Sequence, residues 1–229
     1  MNFLAHFYFD KHSDNSELIL GTVLPDLIKN ANKSWILHPE KKKDLFIHDV
    51  TLVSILKGWE RHILVDKFFH ASNFFLDHTK QIRSAIAPLL EDSPVRPSFL
   101  SHIALELMLD SLLITEGSIT ANDFYNHLRN VDRNTLTEFL VLNGINDPDV
   151  FFKFYDQFIA SAYLNSYSDP HNIIYALNRI CMRVWDDPLN SEQQSALTDV
   201  LINYQEDLRY SFTEIFDTVG KQLKDRSEL

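Results

Sequence analysis

The sequence predicts an all-α protein: a single multi-helix domain of about eight helices over residues 1–229, with a metal site between two central helices. Three observations carry that prediction. Apolar residues recur at the helical period along most of the chain, and hardly any stretch alternates as a strand does. Seventeen Phe stand against five Gly, a composition suited to a packed helical body with few strand-linking turns. Helix-starting polar residues and prolines punctuate the chain, and no internal repeat or low-complexity tract interrupts it.

Residues 2–10 read as either a strand or a short helix. Ser13-Asp14-Asn15-Ser16 marks a helix start, and Leu18, Ile19, Val23, Leu24 and Leu27 supply its apolar face. Pro25 is expected to end or kink that helix, because it lacks an N–H and crowds the preceding turn. Asp26 then lies near a break where its carboxylate can turn inward. Asn30 to Asp44, with the run Lys41-Lys42-Lys43, reads as a solvated polar loop.

From about Phe46 to Leu90 the period persists through Leu52, Ile55, Trp59, Ile63, Phe69, Phe74 and Ile82. That length implies two helices, or one with a bend. Ser93-Pro94-Val95-Arg96-Pro97 is the clearest break, and Ser98 can cap the next helix, roughly 98–115. Thr120-Ala121-Asn122-Asp123 resembles a capping box before short helices over 121–131 and 134–142, which Asn143-Gly144 ends. Asp147-Pro148 opens a helix to about Ala162, and Ser168-Asp169-Pro170 starts one to Trp185. Asn190-Ser191 starts a last helix that reaches near the C-terminus.

Two of these helices carry chemistry. His62, Asp66 and His70 stand at i, i+4 and i+8 in one, and His102, Glu106 and Asp110 do so in the other. On an α-helix such residues stack on one stripe about 6 Å apart. Their neighbours are mostly aliphatic or aromatic, so both stripes should face inward, where six ionisable groups are costly unless something pairs them. One or two divalent cations would do so, and the spacing lets imidazole and carboxylate approach one ion from the same side. The alternative is a non-catalytic module whose buried polar stripes hold helices in register. His6 and Asp26, both in apolar surroundings, are candidates to complete the site; His38 and His48 border the polar loop and could reach the site. His12, His78, His127 and His171 read as surface residues.

The totals exclude several classes. A net charge of −11 disfavours a nucleic-acid binder, which needs clustered Lys and Arg. The single Cys181 rules out an internal disulfide framework and a Cys-rich zinc site. Met1-Asn2-Phe3-Leu4-Ala5-His6 lacks the basic start of a signal peptide, and no apolar run approaches the roughly 20 residues of a membrane span. A cytoplasmic protein is expected.

Met1-Asn2-Phe3-Leu4-Ala5-His6 also resembles the opening of the acyl carrier protein phosphodiesterases, which remove the phosphopantetheine arm from that carrier. Gly21-Thr22-Val23-Leu24-Pro25-Asp26, His62-Ile63-Leu64-Val65-Asp66 and the acid-x3-Asp element from Glu106 to Asp110 are similar to later elements of the family. The chain departs from it at Ile63, where the family has Arg, and at Ser111, where it has His. The resemblance implies a helical, metal-dependent phosphohydrolase related to the HD-type enzymes. His70 and His102 add a partial resemblance to the zinc-dependent phospholipase C and S1-type nuclease group. That one implies His62, Asp66, His70, His102 and Glu106 as ligands with Asp26 bridging.

Both resemblances imply a phosphodiester substrate cleaved with help from a divalent metal, and imidazole ligands favour Zn²⁺ or Mn²⁺ over Mg²⁺. Asp110 is the expected catalytic base, and Arg183, with Arg179 or Arg61, the expected phosphate-binding cation. Acyl carrier protein is the expected partner, with Lys41-Lys42-Lys43, Arg179 and Arg183 as a basic docking patch on an acidic protein. A nucleotide phosphohydrolase is a third reading, resting on His48-Asp49, which is more simply a helix start. The sequence leaves metal identity, leaving group and oligomeric state open.

Overall fold

In the computed structural model, which describes residues 1–227, most helix starts fall at side chains able to cap them. The helices are α1 (Phe3–Tyr8), α2 (Ser16–Ala31), α3 (Val50–His70), α4 (Asn73–Ile86), α5 (Pro97–Thr115) and α6 (Ala121–Asn130). They continue as α7 (Arg133–Leu142), α8 (Pro148–Ser161), α9 (His171–Cys181), α10 (Ser191–Leu208) and α11 (Thr213–Ser227), with four short 3-10 turns and no strand among the described residues. Asn15 accepts from the Leu18 N–H, Ser72 from Phe75, Thr120 from Asp123, Asp132 from Thr135 and Asn190 from Gln193. Each such cap contributes about 1 kcal/mol. Asp49 does the same for α3, its carboxylate accepting from the N–H groups of Thr51 and Leu52, so the His48-Asp49 doublet is a helix start.

Among the described residues the helix count is eleven rather than about eight. The last predicted helix is two, because the chain turns at Arg209–Phe212 and buries Phe212. Ser98 does not cap α5, which begins on Pro97 with no side-chain cap. Pro25 does not end α2, which runs through it to Ala31.

The chain packs as two compact units. One comprises residues 1–5, 67–118 and those from 166 onward. In it α4 lies along α5, α9 and α10 pack on α5, and α10 also meets α4. Ile82, Ile86, Leu105, Leu109, Leu112, Leu177 and Leu197 fill the core between them. Ser111 is buried but satisfied, donating to the Tyr167 carbonyl at 2.8 Å and accepting from Gln205 at 2.9 Å. Against the expectation of no spanning run, α5 is long and apolar enough to cross a membrane by length and composition, with a mean hydropathy of 1.4. It is 61% buried inside the protein, and it carries His102, Glu106 and Asp110, as befits a core helix.

The other unit comprises residues 6–66 and 119–165. Here α2 packs against α6 and α8, and α7 packs on α8. Phe7, Phe124, Tyr125 and Phe158 form an aromatic cluster, with Phe7 and Phe124 centroids 5.6 Å apart. The Tyr155 hydroxyl inside this core donates to the Leu128 carbonyl, and the Tyr125 hydroxyl accepts from the Leu164 N–H. Gly21 of α2 and Gly58 of α3 let the two backbones touch: a Cβ on Gly21 would stand 2.8 Å from the Gly58 Cα. That close crossing sets the position of α3, and with it the histidines it carries.

Candidate metal centres

Six of the candidate ligands form two groups of three. The first joins His6 of α1 to His62 and Asp66 of α3, with one donor atom from each within 4.8 Å of the others. His6 is fully buried, and its ring stacks on His62 with centroids 4.0 Å apart. His6 Nε2 lies 3.2 Å from Asp66 Oδ1 but off the line of a hydrogen bond, and neither ring nitrogen has a hydrogen-bond partner. Orphaned buried nitrogens of this kind are rare without a reason.

His62 is oriented by the backbone. Its Nδ1 lies 2.9 Å from the Thr22 carbonyl oxygen. A carbonyl can only accept, so Nδ1 carries a proton and Nε2 is the nitrogen turned towards Asp66. That Nε2 is 3.5 Å from Asp66 Oδ2. The carbonyl lies in the turn that Pro25 disturbs: a proline there gives the Gly21 carbonyl no N–H and crowds the turn before it. A backbone carbonyl holding the second nitrogen of a histidine is the usual support for a metal ligand.

The electrostatics agree. Burial, then the neighbouring His62, lowers the His6 pKa to about 3, so the ring is neutral at ordinary pH. Burial alone would raise Asp66, but the His6 nitrogen beside it and the nearby His62 hold it well below the usual carboxylate range. The neutral His6, the His62 imidazole and an ionised carboxylate are a donor set that fits a borderline divalent cation.

The second group joins His70, the last residue of α3, to His102 and Glu106 of α5. Glu106 Oε1 stands 3.1 Å from His102 Nε2, 3.4 Å from His70 Nε2 and 3.1 Å from the Met1 amino group. The two Nε2 atoms are 3.3 Å apart. Burial would raise Glu106, but the amino group and the two imidazoles hold it far below its ordinary value. His70 and His102 are 34% and 42% exposed, so solvent reaches this group from its imidazole side; in the first group both imidazoles are buried and Asp66 is 34% exposed. Phe75 meets both rings edge-on, with centroids 4.9 and 5.0 Å away. A cavity of about 300 Å³ between α4 and α5 opens beside His102.

Among the described residues His62 and Asp66 lie in one such group and His102 and Glu106 in another, each completed by a histidine from another element. Asp110 belongs to neither. It is fully buried, and its Oδ2 accepts from the Asn2 side chain at 2.9 Å and the Leu4 N–H at 3.2 Å. Its Oδ1 accepts from the Ala5 N–H at 2.8 Å. Asp110 thus caps the start of α1 from another helix, satisfying N–H groups that a helix cannot pair itself. Burial, opposed by those donors, pushes its pKa up to about 7. This geometry commits the carboxylate to an anchor, leaving little of it for a catalytic base.

Other sequence candidates lie outside both groups. Asp26 is half-buried on α2, His38 is exposed beside Glu40, and His48 is exposed. Arg183 is exposed beyond the end of α9, and Arg179 is exposed on it. Arg61 donates to the buried Asp10 at 3.1 Å, a structural pair. Lys43 pairs with Glu60. His78 is half-buried and bonded to Tyr204 at 2.7 Å, not on the surface as expected. The structure adds participants that no spacing revealed: the Thr22 carbonyl, the Met1 amino group, and the cavity residues Lys80 and Arg83.

The class defined here is an all-α protein with two histidine–carboxylate triplets that could hold a metal ion. The chain belongs to the acyl carrier protein phosphodiesterase family, whose model matches residues 1–219. No curated protein and no solved structure matches it.

Proposed function

We propose that the chain is a metal-dependent phosphodiester hydrolase that removes the phosphopantetheine arm from acyl carrier protein. Its family supplies the substrate, and the convergence of His70, His102 and Glu106 on a solvent-reachable point carries the chemistry. Zn²⁺ or Mn²⁺ suits these imidazole-rich donors better than Mg²⁺. When bound, such an ion supplies positive charge for the phosphate oxygens and acidifies water.

The chain's own residues do the rest. Glu106 holds the two imidazoles together through one oxygen, and Phe75 walls them on the apolar side. The Thr22 carbonyl orients His62 by accepting from its Nδ1, and the buried His6 stacks on that ring. In the reaction a water oxygen bonds to phosphorus while one P–O ester bond breaks, and the departing oxygen takes a proton.

The test incubates holo carrier protein with the enzyme and Mn²⁺ or Zn²⁺ and follows release of phosphopantetheine by mass. Wild type is expected to release it, and His102→Ala is expected not to. No release by a wild-type protein of verified metal content would retire the reading.

A further inference from the structure

The cavity beside His102 has a chemistry of its own. Its walls come from one face of α4, with Phe75, Lys80 and Arg83, and from the first turns of α5, with Ser98, Ser101 and His102. Lys80 and Arg83 are exposed, and neither pairs with an acid among the described residues. In a protein with 32 acids against 21 Lys and Arg, two unpaired cations on one cavity make a local positive potential. Ser101 donates to the Ser98 carbonyl at 3.2 Å, while the Ser98 hydroxyl has no partner among the described residues. The buried ring of Phe75 supplies an apolar wall between these donors and the imidazoles of His70 and His102.

From this juxtaposition we infer that the α4–α5 cavity is the seat of the substrate phosphate, with Lys80 and Arg83 holding its non-bridging oxygens on the side of His102. Arg presents a planar fork to two phosphate oxygens and Lys a point charge, so together they neutralise the group without an opposing acid. Ser98 offers a further donor, and Phe75 accommodates the carbon chain of an ester. The inference rests on the phosphodiesterase reading and deepens it by naming where the phosphate lies. Arg183, the cation expected from the sequence, takes no part in this cavity.

The experiment measures two things on the full-length protein: calorimetric binding of inorganic phosphate, and steady-state hydrolysis of bis(p-nitrophenyl) phosphate and of holo carrier protein. Wild type is expected to bind phosphate, with affinity that falls as salt rises. The Lys80→Ala/Arg83→Ala variant is expected to lose affinity and to raise KM by about tenfold or more for both diesters, with kcat changed far less. Arg83→Lys should recover part of the loss, and thermal melts of all variants should match wild type because neither cation supports the fold. Equal phosphate affinity in wild type and the double variant, or an unchanged KM, overturns the cavity assignment while hydrolysis still supports the phosphodiesterase. Phosphate binding lost in the variant, with no hydrolysis of either diester by wild type, retires the phosphodiesterase and leaves an anion site standing. A KM raised only for the carrier would move the two cations from the phosphate to the carrier's surface, and so also overturns the assignment.

Discussion

His6 and His62 stack face to face, with ring centroids 4.0 Å apart and planes 17° from parallel. Two imidazoles cannot both be charged at that separation in a buried site. Burial and the neighbouring ring keep His6 neutral, down to about pH 3, while the Thr22 carbonyl fixes the proton of His62 on Nδ1. His6 is thus prepared to give a lone pair rather than to carry charge. The carboxylate of Asp66 supplies the anion beside the two rings.

The two triplets should load separately. His62→Ala is expected to lose the ion of the first group and keep that of the second, and His102→Ala to do the reverse. Elemental analysis after exhaustive dialysis reads this directly. Loss of all metal from either single variant would mean that the six residues act as one centre.

Asp110 gives the fold a pH dependence of defined sign. Its folded pKa stands at about 7 against an ordinary 3.8, so between those values the native state binds the extra proton. Its contribution to stability is therefore complete below about pH 4 and is lost as pH rises to about 7. A shift of this size corresponds to on the order of 4 kcal/mol. Urea midpoints of wild type and Asp110→Asn, compared from pH 4 to 7.5, isolate the effect. The gap between them should change steadily across that range. A constant gap would show that Asp110 is ionised throughout and held by its three donors alone.

The crossing of α2 and α3 tolerates no side chain. Gly58→Ala would drive a Cβ to 2.6 Å from the Gly21 Cα, against backbone that cannot step aside. A cost of about 3 kcal/mol or more is expected, with loss of metal from the first group as α3 shifts. Gly220→Ala in α11 is the control, because nothing lies within 4 Å of its new methyl. There the gain in helix propensity should raise stability by about 0.5–1 kcal/mol. Thermal unfolding of both variants settles the contrast, and equal effects would refute it.

Local signals were legible in the sequence and tertiary ones were not. Thr120, Asp147 and Asn190 announced their helices because a cap is a contact between near neighbours in the chain. The i, i+4 pairs His62/Asp66 and His102/Glu106 were visible for the same reason. Whether His70 joins the α3 pair or the α5 pair depends on packing, and the regular stripe suggested the wrong partner. Asp110 looked like a third ligand because its true partners are backbone N–H groups, which no side-chain pattern betrays. Lys80 and Arg83 were hidden because cations on an amphipathic helix resemble any solvated face.

Pro25 is where the sequence expected a helix to stop, and the helix passes through it. Three residues earlier, the Thr22 carbonyl accepts from Nδ1 of His62. Pro25→Ala restores an N–H for the Gly21 carbonyl and lets the turn tighten, so α2 should become no less stable. The tightened turn would draw the Thr22 carbonyl back into the helix and free His62 to rotate. Loss of such a supporting bond weakens metal binding by about 10- to 100-fold. Competition with a chromogenic chelator should show that weakening in the first group, while the second, whose residues Pro25 does not support, keeps its affinity. A purely structural role for Pro25 predicts a change in melting temperature and none in either affinity. Unchanged metal binding in Pro25→Ala would therefore break the link between the proline and the site.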